Sequence, residues 1–121
     1  MKTDKYTVES LRIQSIEDAA EAMRAIGTTD VGIHIMREKA VFAPIRVEEV
    51  NTKAANILKQ TYLSKGGEAA VSKHSADLSE DTTDVLIFAT LAQHRASIQV
   101  LRLQPWGLSE LADQLRDRLS L

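Results

Sequence analysis

Between Thr52 and Lys65, polar side chains recur at the spacing of a helix turn. At about 100° per residue, Thr52, Lys53, Asn56, Lys59 and Gln60 fall within an arc of about 120°. Ala54, Ala55, Ile57, Leu58, Thr61 and Tyr62 fall on the other side. Such a stripe is either a solvated face or a binding face. Asn56, a poor helix former, and Leu63, an apolar residue in the polar arc, favour binding. The chemistry would be anion recognition. A helix start offers unpaired N–H groups and the positive end of the helix dipole. Lys53 adds a full charge, Asn56 lies one turn along, and Lys59 and Gln60 extend the stripe. Lys73 and Arg95 close the site if the fold brings them near. Asn51, as an N-cap, competes for the same N–H groups.

Other constellations offer less. His34, His74 and His94 lie in three separate elements with no H-x-x-x-H spacing, so no metal site is expected. Asp77, Glu80, Asp81 and Asp84 lack the glycine and terminal ligand of a calcium loop and read as solvated. Gly66-Gly67 follows a helix instead of opening one, which excludes a phosphate loop. Glu48 and Glu49, adjacent on a strand, point to opposite faces and make no acid–base pair. Neither a nucleophile elbow nor a Walker pattern occurs. The absence of cysteine excludes disulfides, thiol catalysis and iron–sulfur clusters. No catalytic residue and no cofactor is expected.

The elements that must position these residues fit one domain, 1–121, which is too short for a barrel of roughly 200 residues. At 44% apolar and 26% charged, the chain reads as globular, not disordered. A net charge of −2 and only five aromatic residues count against nucleic acid as a partner. No apolar stretch reaches the ~18 residues of a membrane span. The start lacks the apolar core of a secretory signal, so a cytoplasmic protein is expected.

Tyr6, Val8, Leu11 and Ile13 suggest a first strand with imperfect alternation. Ser15 caps a helix closed by Gly27. Asp30 to Lys39 reads either as a strand on Val31, Ile33 and Ile35 or as a short helix on Ile33, Met36 and Ala40. Val41, Ala43, Ile45 and Val47 alternate as a half-buried strand, with Pro44 marking an edge or bulge. Asn51 caps a helix to Lys65, and Glu68–Lys73 is a short strand before a polar loop over His74–Thr83. The run Val85–Ala89 predicts a central strand buried on both faces. Leu91–Leu103 is helical until Pro105, and Ser109 caps a last helix. The expected architecture is a two-layer α/β domain in βαβαββαα order. It has a four-stranded mixed sheet, with helices mainly on one face. On the Leu91–Leu103 helix, Ala92, Ala96, Val100 and Leu103 form one apolar side, and Leu91, Ile98 and Leu101 form another. The latter three, with Leu63, make a candidate contact surface unless the last helix covers them.

Four segments carry a resemblance: Asn51–Gln60, Gly66–Ser72, Thr83–Leu86 and Leu101–Leu108. Together with Gly32-Ile33-His34-Ile35-Met36, they resemble the N-terminal accessory domain that precedes the catalytic barrel of certain bacterial and archaeal dihydropteroate synthases. The resemblance runs from about Leu11 to Leu119 in unbroken order. It implies a stand-alone domain or a fragment without its barrel. It also implies that pterin and p-aminobenzoate bind on barrel loops this chain lacks, so no catalytic residue carries over. Leu91 stands where the family pattern has a basic residue, and Lys73-His74 where it has an Arg-Gly pair. The expected function is a non-catalytic accessory or regulatory domain of folate synthesis. Its expected partners are the synthase barrel, a second copy, or a small anionic or pterin-like ligand. The alternatives are an independent anion-binding domain and an RNA-binding α/β module.

Overall fold

The computed structural model describes residues 5–75 and 77–121. Met1–Asp4, where no secretory core is seen, and Ala76, within the polar loop, lie outside the described residues. The chain forms α1 (Ile16–Ala25), α2 (Asp30–Met36), a 3-10 turn (Arg37–Ala40), β1 (Ile45–Asn51), α3 (Thr52–Ser64), β2 (Glu68–Ala70), β3 (Thr82–Phe88), α4 (Leu91–Leu101) and α5 (Leu108–Leu119).

Side-chain caps start four of the helices. Ser15 Oγ accepts from the Asp18 N–H at 3.0 Å, and Thr29 Oγ1 from the Gly32 N–H at 3.1 Å. Asn51 Oδ1 accepts from the N–H groups of Lys53 and Ala54 at 2.9 and 3.3 Å. Thr90 and Gln93 form a reciprocal capping box on α4. The last helix is capped differently from expectation: it begins at Leu108 after Gly107, whose φ of +81° suits glycine, and Ser109 lies inside it.

The fold is mixed α/β, but the sheet has three antiparallel strands in the order β1-β3-β2, not four in a mixed sheet. The order is ααβαββαα instead of βαβαββαα. Tyr6–Ile13 forms no strand, and Tyr6, Val8 and Leu11 are 70%, 90% and 63% exposed. Their spacing explains this. Tyr6 and Val8 share one face of an extended chain while Leu11 and Ile13 share the other, so no register buries both pairs. Of the two readings of Asp30–Lys39, the helix is the one formed. Proline interrupts the next strand: Phe42 bridges Thr90 in the register that resumes at Ile45↔Ile87, and Pro44 between them has no N–H to donate.

β3 is central, as expected, but it is buried on one face only. Val85 and Ile87 are buried, while Leu86 and Phe88 point outward from a face that no helix among the described residues covers. The main core joins Leu58 and Tyr62 of α3, Val85 and Ile87 of β3, and Leu101 and Leu115 of α4 and α5. A second cluster holds Ala19, Val41 and Leu91. The α3–β2 turn is held tight. A Cβ at Gly67 would lie 3.2 Å from the Phe88 carbonyl oxygen and 3.4 Å from that of Tyr62.

Candidate functional site

At the start of α3, where the sequence predicts an anion site, the backbone donors are already taken. The Thr52 N–H donates to the Asp81 carbonyl at 3.0 Å, and those of Lys53 and Ala54 donate to Asn51. Thr52 itself is buried. Lys53 Nζ lies over the Trp106 ring, 5.7 Å from its centroid, a cation–π contact. The Asn56 amide donates to the Ser75 carbonyl at 3.1 Å, tying the 71–81 loop to α3. Lys59 lies 3.8 Å from Glu68. Gln60 borders a shallow groove shared with Asn56, Ile57 and Val100. Lys73 is exposed in the turn after β2. Arg95 donates to Glu38 at 2.8 and 2.6 Å and turns to a cleft between α4 and α5. The Arg95 guanidinium holds the Glu38 carboxyl below the usual carboxylate range.

The expected contact residues divide. Ile98 and Leu101 are buried in the main core and Leu91 in the second cluster, so they face the chain's own interior. Leu63 stays 38% exposed. The three histidines do not converge, and among the described residues no group of three or more potential ligands could hold a metal.

Sequence reasoning missed two features. The first is a buried polar chain. The Tyr62 hydroxyl lies 2.7 Å from His94 Nδ1, and His94 Nε2 lies 2.8 Å from the Ala43 carbonyl oxygen. A carbonyl only accepts, so Nε2 carries the proton and Nδ1 accepts from Tyr62. Burial holds the imidazole below its ordinary pKa and pushes the tyrosine hydroxyl well above its own. The neutral imidazole thereby pins α3 and α4 to the approach to β1. The signal was available: Tyr62 lies on the apolar side of its helix, and a buried hydroxyl needs a partner.

The second is the open sheet face. The Phe42 and Phe88 rings stack, with centroids 6.5 Å apart and planes 7° from parallel, and both are exposed. Leu86 extends this apolar strip. Beside it, Arg46 donates to Asp84 at 2.7 Å, and Asp84 also accepts from the Glu49 N–H at 3.0 Å. The second bond anchors the bulge between Val47 and Val50, where Glu49 sits at φ +54°. The arginine, with help from that N–H, holds the Asp84 carboxyl below its ordinary range. Arg46, Leu86 and Asp84 border a wide cleft of about 560 Å³ with Ser72, Glu80 and Thr82. No helix among the described residues is long and apolar enough to cross a membrane.

Comparison with known proteins agrees with the resemblance. The chain is 36% identical over 109 residues to a Halobacterium salinarum protein described as a probable bifunctional folylpolyglutamate synthase/dihydropteroate synthase. It is 29% identical over 98 residues to a bifunctional dihydropteroate synthase/dihydropteroate reductase of Helicobacter pylori. The matches take in 90% and 81% of this chain but span only 13% and 26% of those proteins. No protein-family profile matches the chain, and no solved structure matches it.

Proposed function

We propose that this chain, a domain related to dihydropteroate synthase, is a non-catalytic accessory module of folate synthesis that works by contact with a synthase catalytic domain. The carrying observation is the open sheet face: Phe42, Leu86 and Phe88 form an apolar strip left exposed by the described residues. The relatives' own lengths support the reading, because most of each lies outside the matched segment. A cytoplasmic location accords with this role.

Charge favours a protein over an RNA on that face. Stacked aromatics on an open sheet are also what RNA-binding modules present. Here, however, the strip is flanked by Asp84, Glu48 and Glu68, with Arg46 already paired. Carboxylates repel a phosphate backbone, whose neutralisation supplies most nucleic-acid affinity. A second, weaker proposal keeps a small anionic or pterin-like ligand on the α3 stripe, resting on the Lys53 and Lys59 charges.

The test mixes the purified chain with the dihydropteroate synthase catalytic domain of its organism. Co-elution on size exclusion and a changed kcat/KM are expected. Both should be lost in a Phe42→Ser/Phe88→Ser double variant that still unfolds at the parental temperature. No association, or association indifferent to the double variant, contradicts the reading.

A further inference from the structure

The cleft between α4 and α5 lies on the helix side of the sheet, apart from the proposed contact face. Arg95, Ile98, Gln99 and Arg102 recur at spacings of three and four, so they share one face of α4 and its C-cap. Arg116 of α5 faces them, and Leu121 closes the end of a cavity of about 280 Å³. Three guanidiniums and an amide thus line the space together with Ile98 and Leu121, and none of its described lining residues has an acidic side chain.

Two carboxylates touch these arginines from outside. Glu38 takes Arg95 through two hydrogen bonds. Asp113, largely exposed, lies 3.7 Å from Arg102 and 3.6 Å from Arg116. Those two separations exceed the roughly 3.2 Å limit of a good N–H···O bond, so neither guanidinium is engaged by it as a fork. Three guanidiniums face these two carboxylates and the terminal carboxylate of Leu121, so the cluster is balanced in charge, and what it offers a ligand is the unfilled donors of Arg102 and Arg116.

We propose that this cleft binds a small molecule bearing two neighbouring anionic groups, either a diphosphate or a linked pair of carboxylates. Arginine supplies planar, bidentate donors to both chemistries. Size excludes a large ligand, because sites for drug-sized molecules start at about 300 Å³ and this one fits a head group. Spacing asks for two anions. Arg95 and Arg102 are seven residues apart, about 10 Å along the helix axis, which a single phosphate leaves half-engaged.

The experiment is calorimetric titration of the 121-residue chain at low salt with inorganic diphosphate, inorganic phosphate and γ-glutamylglutamate. One or both two-anion probes should bind, at least tenfold tighter than phosphate, and added salt should weaken them. Whichever binds tighter identifies the source chemistry. Arg102→Ala and Arg116→Ala should each weaken binding about tenfold or more, since each removes a charge-assisted contact. Arg116→Lys should recover only part of the loss, and Arg24→Ala on α1 should bind like the parent. Unchanged unfolding temperatures would separate lost binding from lost fold. The proposal is overturned if neither probe binds the parent, if phosphate binds as tightly as the tighter of the two probes, or if the two alanine variants bind like the parent.

Discussion

His94 is the residue whose chemistry the fold has most altered. It is fully buried, neutral, and bonded at both ring nitrogens. Burial lowers its folded-state pKa, whereas in the unfolded chain the imidazole protonates near pH 6.5. Below that pH the unfolded chain binds a proton the folded chain does not, so stability is full above about pH 6.5 and falls as pH drops toward the folded pKa. Urea midpoints should therefore be lower at about pH 5 than at about pH 7.5. A His94→Gln variant should lose most of that difference, since the lowered carboxyls of Glu38 and Asp84 act only at more acid pH. Tyr62→Phe leaves Nδ1 buried without a donor and should cost about 1–3 kcal/mol in denaturant unfolding.

The α3 stripe makes a contrasting residue-scale prediction. Asn56 is a poor helix former, and its bond to the Ser75 carbonyl explains its place in α3. Asn56→Ala should lower stability by about 1 kcal/mol. Lys53→Ala, at an exposed cation–π contact, should cost about 0.5–1 kcal/mol. Side-chain types thus located a polar stripe in the sequence. They did not reveal that Asn56 serves the loop, because its partner is nineteen residues away.

At the scale of elements, local signals were readable where one residue decides the backbone. Ser15 and Asn51 cap helices by bonds within three residues, and such bonds leave a short-range imprint. Asn51→Ala should cost about 1 kcal/mol in denaturant unfolding. Gly67→Ala should cost more than a surface glycine change, because its Cβ would press on the backbone oxygens of Phe88 and Tyr62. The strands were less legible. Val85–Ala89 reads as apolar throughout, yet whether both faces are buried depends on helices elsewhere in the chain. The outward Leu86 and Phe88 carry no local mark of their exposure. Tyr6–Ile13 has strand-like residue types but a broken alternation, and pairing needs the alternation.

For the whole molecule, the relation to dihydropteroate synthase and the uncovered sheet face point the same way. In the proposed function, the domain supplies a surface and leaves the chemistry to another fold. The 121-residue chain alone should show no turnover of a pterin diphosphate with p-aminobenzoate above the uncatalysed rate in a coupled assay. The most direct test of the central claim is amide shift mapping of the isotopically labelled chain on adding the unlabelled catalytic domain. Shifts should concentrate at Phe42, Arg46, Leu86 and Phe88 and disappear in the Phe42→Ser/Phe88→Ser variant. Shifts confined to the α3 polar stripe, or none at saturating catalytic domain, would contradict the account.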